Sequence, residues 1–195
     1  MSPTKTTAGN YTSLCDAGNS VLLIIDIQTE LTAVMPAKVL ARLQRNTGLL
    51  INTAIRLSLP IFAAERSPEA LGIMEPEIRK LLPAAAKLYE KTSFSCTGAK
   101  NFAEDLTSTK RKQAILVGME AHVCVLQTAL DLYNRGYAVF VVADAVCSRQ
   151  RENYETALRR LGRAGIIICD AESVLFEWIR GADETLSREV QSLLR

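Results

Sequence analysis

Short unbroken apolar runs alternate along the chain with stretches whose apolar residues recur at helical spacing. Val21-Leu22-Leu23-Ile24-Ile25 is one such run, and it stops at Asp26, the pattern of a strand buried on both faces of a parallel sheet. Comparable runs predict strands at residues 60–64, 86–89, 114–117, 138–142 and 166–169. Between them, Val39, Leu40, Leu43, Leu49 and Leu50 fall on one helical face, and Val125, Leu126, Ala129, Leu130 and Tyr133 on another before Gly136. Parallel neighbours need crossover helices, which cover both faces of the sheet. The expected fold class is α/β, a three-layer sandwich around a doubly wound, six-stranded, mostly parallel sheet.

Residues 1–19 read as a polar N-terminal tail and residues 20–195 as a single domain, a length that can bury a substantial core. Residues 66–83 carry Pro68, Gly72, Pro76 and Pro83 and read as a long loop around one short helix. Long loops in compact domains often serve function, so this one is a candidate wall for a pocket.

Charge changes the picture mainly by exclusion. The net charge is +2 with basic and acidic residues interspersed, which points away from nucleic acid and membrane surfaces and toward a small-molecule substrate. No apolar run reaches the length of a membrane span, and the first ten residues lack the apolar centre of a secretory signal. The five cysteines, Cys15, Cys96, Cys124, Cys147 and Cys169, are odd in number and form no C-x-x-C pair. That pattern fits neither a disulfide scaffold nor a zinc site, and it favours a reducing, cytoplasmic location.

In open α/β sheets, ligands bind beyond the carboxyl ends of the strands. Asp26 closes the first strand, Lys91 follows the third, and Cys124 comes shortly after the fourth, where a helix begins. Singly, each has an ordinary structural role: a cap, a surface charge, a small buried hydrophobe. Together they form a chemistry. A helix start and an ammonium favour the thiolate, and a carboxylate can take the thiol proton and return it to a leaving amine.

These residues stand in recognisable surroundings. Asp26-Ile27-Gln28, Glu90-Lys91-Thr92-Ser93-Phe94-Ser95 and the run from Gly118 through Cys124 to Ala129 closely resemble the three signature regions of isochorismatase-like cysteine hydrolases. The likeness extends over roughly residues 20–178. It implies a Rossmann-like domain with Cys124 as nucleophile, Asp26 as proton acceptor and donor, and Lys91 holding both in charged form. It also implies an oxyanion hole from the backbone N–H groups of Glu120 and Cys124, a cis peptide joining Met119 to Glu120, and a homo-oligomer. Gln28, Glu65, Phe94 and His122 are further candidates for lining the pocket. His122 lies two residues before Cys124, so on a helix the two side chains diverge, and lining or structure is its expected role rather than that of a base.

Two departures narrow this reading. Nicotinamidases of the superfamily hold a metal with an Asp-x-His segment and another histidine, whereas this chain has Ala63-Ala64-Glu65-Arg66 there and one histidine in all. No metal and no other cofactor are therefore expected, and the segment from Glu65 to Gly72 resembles members whose substrates are mostly unassigned. Hydrolysis of a small amide or related C–N bond is the favoured activity. A vinyl-ether hydrolase, or a binding protein that keeps the fold without catalysis, are the alternatives. A dinucleotide oxidoreductase is disfavoured because Asp26-Ile27-Gln28-Thr29-Glu30 stands where a G-x-G-x-x-G would be.

Overall fold

The computed structural model describes residues 14–180 and 184–192. Six strands alternate with helices: β1 (Ser20–Ile25), β2 (Ile61–Arg66), β3 (Lys87–Lys91), β4 (Gln113–Met119), β5 (Ala138–Cys147) and β6 (Ile167–Cys169). The helices are α1 (Thr29–Thr32), α2 (Ala37–Arg56), α3 (Pro68–Leu71), α4 (Pro76–Arg79), α5 (Phe102–Ser108), α6 (Leu126–Asn134), α7 (Arg151–Arg163), α8 (Ala171–Ile179) and α9 (Glu184–Ser192).

All strand pairs are parallel, in the order β3-β2-β1-β4-β5-β6. The chain winds outward from β1 to β3, then returns to lay β4 on the free side of β1. The order reverses between β1 and β4, and in open α/β sheets ligands bind beyond the carboxyl ends of the strands at such a point. The central strands β1 and β4 are buried at every position, which is why they read as unbroken apolar runs. Alternate residues feed two cores. Leu22, Ile24, Ile115 and Val117 pack on the side of α2 and α8, and Val21, Leu23, Leu116 and Val139 on the side of α6.

Strand β5 runs on to Cys147, five residues past the expected end at 142. Its register against β4 jumps from Leu116↔Val141 to Gly118↔Val146, so the intervening residues bulge. Side chains take up the released carbonyls: Asn46 donates to the Asp144 carbonyl at 3.1 Å and Tyr154 to that of Ala143 at 2.8 Å. The loop expected at residues 66–83 contains two short helices, α3 and α4, rather than one.

Of the tail expected at residues 1–19, residues 1–13 lie outside the described part. Residues 14–19 contact the domain: Cys15 is fully buried and its N–H donates to Glu177 at 2.6 Å, while that of Asp16 donates to Gln113 at 2.7 Å. Among the described residues, no helix is long and apolar enough to cross a membrane.

Candidate active site

Asp26 follows β1 at a positive φ of 49°, a left-handed conformation that Asp tolerates better than most residues. Its N–H continues the ladder to the Ala64 carbonyl at 3.0 Å, and the turn sends the side chain into a wholly buried position. Lys91, the last residue of β3, reaches it: Lys91 Nζ donates to Asp26 Oδ2 at 2.7 Å, with both side chains fully shielded from water. The ammonium also donates to the carbonyls of Phe94 at 2.9 Å and Ser93 at 3.2 Å. All three of its protons are thereby committed and its position is fixed.

Cys124 lies in the five-residue turn Ala121–Val125, which has π-helical winding. Val125 N–H donates to the Glu120 carbonyl at 3.3 Å across the wider turn, and α6 begins directly after it. Such turns recur at functional sites because they re-aim a side chain at a helix start. Gly118 makes room just before it. Its φ is 120°, and a Cβ there would lie 2.0 Å from the Ile25 carbonyl oxygen, so only glycine lets β4 approach β1 this closely. The peptide joining Met119 to Glu120 is cis, as the resemblance implies.

The titration of the trio is set mainly by burial. Desolvation pushes the Asp26 carboxyl above its ordinary value, against the opposing pull of the Lys91 ammonium, the Cys124 thiol and the Arg66 charge. The Cys124 thiol is also pushed up, first by burial and then by the Asp26 charge, with Lys91 and Arg66 opposing. The sequence predicts a thiol drawn down by a helix start and an ammonium. The structure reverses that direction because Cys124 is only 4% exposed, and the desolvation cost of a thiolate outweighs both attractions. The resting arrangement is a thiol facing a carboxylate of raised basicity. Asp26 Oδ1 is buried and makes no regular hydrogen bond, which leaves acceptor capacity beside the thiol.

The other predicted residues divide. Gln28 is fully buried, and its side chain is spent on backbone groups: it accepts from Arg66 N at 2.8 Å and donates to the carbonyls of Arg66 at 3.0 Å and Gly72 at 2.6 Å. Glu65 accepts from Met74 N at 2.7 Å and Arg79 at 3.2 Å. Both therefore pin the segment around α3 and α4 to the sheet. Phe94 is 45% exposed, with the Arg66 guanidinium 5.1 Å from its ring centroid. His122 pairs through Nδ1 with Ser148 Oγ at 2.9 Å. Ser148 borders a separate cavity of about 320 Å³ that Arg42, Cys147 and Tyr154 also line. Glu120 directs its carboxylate to Arg149, accepting from its N–H at 3.0 Å and its Nε at 3.1 Å.

Of two further neighbours of the trio, Cys96 stands five residues past Lys91, where the sequence already allowed a pocket contact, and Arg66 is the one the sequence did not single out. Cys96 is 1% exposed, and burial pushes its thiol up to about 12, with the charges of Lys91 and Asp26 both acting on it. Arg66 ends β2 directly opposite Lys91 in register. The rule that singled out Asp26, a polar residue at a strand's carboxyl end, would have found it had the strand been drawn two residues longer. Among the described residues, no three His, Cys, Asp or Glu side chains gather where they could hold a metal ion.

A six-stranded parallel sheet with a reversed strand order and helices on both faces defines a Rossmann-like α/β protein. The chain belongs to the isochorismatase family, whose domain matches residues 20–173. It is 36% identical over 146 residues to isochorismatase domain-containing protein 1 of Danio rerio, covering 75% of this chain and 51% of the relative, so it spans about half that protein's length. The solved structure of MAR1 ribonuclease from Caenorhabditis elegans superposes with a TM-score of 0.85 at 32% identity, covering 93% and 92% of the two chains. The YcaC gene product of Escherichia coli, described as an octameric hydrolase of unknown specificity, shares the fold with a TM-score of 0.84 at 23% identity, covering 94% and 91%.

Proposed function

We propose that the protein hydrolyses a small-molecule amide or related C–N bond through a covalent intermediate on Cys124. The observation that carries this reading is the buried Asp26–Lys91 pair, 2.7 Å apart, beside a thiol in a π-turn at the switch point of the sheet. A buried ion pair is a poor source of stability compared with apolar packing, so a chemical role accounts for it better than a structural one.

In the proposed cycle, Cys124 Sγ attacks the carbonyl carbon as its proton passes to Asp26. The oxyanion is held by the backbone N–H groups of Glu120 and Cys124. Collapse breaks the C–N bond, and Asp26 returns the proton to the departing amine. Water then attacks the thioester, with Asp26 again taking a proton, and a carboxylic acid leaves as the thiol is restored. Lys91 stabilises the carboxylate whenever Asp26 is ionised and opposes the cost of charge on sulfur. Asp26's raised pKa suits this work, since a base is most effective when its pKa approaches the working pH.

Five free cysteines support a reducing, cytoplasmic setting, and the octameric relative of the same fold supports self-association. The name of the Caenorhabditis elegans relative raises RNA as a substrate. The near-complete burial of the trio favours a compact molecule that can enter a crevice. The test is a turnover screen over small amides, ureides and nitriles, with RNA as a parallel arm and Cys124→Ala as the blank. Amide turnover abolished by the substitution supports the proposal. Turnover that survives Cys124→Ala, or cleavage of RNA alone, overturns it.

A further inference from the structure

Arg66 carries a charge that the protein does not neutralise. Its backbone is held on both sides by Gln28, so its Cα is fixed at the end of β2. Its guanidinium lies over the Phe94 ring at 5.1 Å, and its Nε is buried without a hydrogen-bond partner. Among the described residues, no Asp or Glu pairs with it. Glu65, its neighbour along the strand, projects to the opposite face and is engaged by Arg79 at 3.2 Å. A buried donor left unused is costly, and a stacked guanidinium presents a rigid fork suited to a carboxylate.

The carboxyl ends of β1, β2 and β3 therefore carry one compensated ion pair, Asp26 with Lys91, and one uncompensated cation, Arg66. We infer that Arg66 binds an anionic group of the substrate, so that the C–N bond cleaved belongs to a small amide bearing a carboxylate. Phe94, exposed beneath the guanidinium, supplies an apolar rim for the carbon skeleton between the two functional groups. The charge of Arg66 acts on both Asp26 and Cys124, as it must if one small molecule is to span the cation and the nucleophile. This inference rests on Cys124 being the nucleophile.

The test compares two alkylating agents of nearly equal size, anionic iodoacetate and neutral iodoacetamide, by their rates at Cys124 relative to the same ratio for glutathione. The ratio removes any general change in thiol reactivity when Arg66 is altered. An attractive charge near the sulfur is expected to favour iodoacetate by about ten-fold over the glutathione ratio. Arg66→Met should bring the ratio back to that of glutathione, with Arg66→Lys intermediate. In the unaltered protein, acetate should slow labelling by iodoacetamide while the neutral isostere acetamide does not, a readout that needs no variant to fold. A glutathione-like ratio in the unaltered protein, or equal protection by acetate and acetamide, overturns the anion inference and leaves the nucleophile in place. Absence of labelling at Cys124 by either reagent overturns the nucleophile and the inference together.

Discussion

Among single residues, Asp26 and Lys91 form a pair fully shielded from water. Removing one partner of a buried ion pair leaves an uncompensated charge, so Lys91→Met should lower unfolding stability by ~3–5 kcal/mol, measured by chemical denaturation. The double variant Asp26→Asn with Lys91→Met should recover much of that loss, since neither charge then remains. The same lysine sets the pH response. Burial holds the Asp26 carboxyl above its ordinary value of 3.8, and a base must be deprotonated to act. Turnover, or alkylation of Cys124, should therefore fall as the pH drops through a limb that lies above the usual carboxylate range. Lys91 pulls that pKa down, so Lys91→Met should move the limb to higher pH, and an unmoved limb would separate Lys91 from the base. The placement of Asp26, Lys91 and Cys124 at strand ends and a helix start was legible in the sequence, but the roles given to them rested on the three together and on the resemblance of their surroundings. The upward direction of the thiol's pKa was not legible, because it depends on how deeply the turn sinks into the core.

At the scale of elements, the β1 and β4 runs were readable because a strand buried on both faces must be apolar throughout. The continuation of β5 to Cys147 was not readable. Its bulge is held at Asp144 by Asn46, 98 residues away in sequence, and at Ala143 by Tyr154 from the following helix. Gln28 and Glu65 illustrate the same limit: their places in the segments after the first two strands marked them as pocket candidates, but their side-chain atoms are engaged by the segment around α3 and α4. Gln28→Leu should accordingly speed amide hydrogen exchange in residues 66–74 before it affects the sheet. Gly118→Ala should be severe, costing about 3 kcal/mol or more, because the new Cβ meets the Ile25 carbonyl in a backbone conformation that alanine avoids. A shift in denaturation midpoint measures it.

At the scale of the whole molecule, the alternation of runs and helical faces was sufficient to foresee a six-stranded doubly wound sheet. The strand order that brings Asp26 and Cys124 to the same end of the sheet was not legible, because winding rules allow more than one doubly wound order for the same alternation. What the sheet gathers at its switch point is a carboxylate, an ammonium, a thiol and a guanidinium, a donor set that suits acyl transfer and offers little to a transition metal. Activity should therefore persist after exhaustive chelation, and elemental analysis showing one metal per chain, with activity restored only on its return, would contradict that. The most direct test of the central claim, that Asp26 is the base for Cys124, is the rate of Cys124 alkylation by iodoacetamide at neutral pH in the unaltered protein and in Asp26→Asn, followed by peptide mapping. The Asp26 charge itself raises the thiol's pKa, so if the residue acted only through its charge, its removal would speed labelling. With Asp26 as the base, Cys124 is labelled ahead of the other four cysteines and Asp26→Asn slows this by about a hundred-fold, the scale of general-base assistance. Faster labelling of Cys124 in Asp26→Asn, or Cys96 labelled first in the unaltered protein, would contradict it.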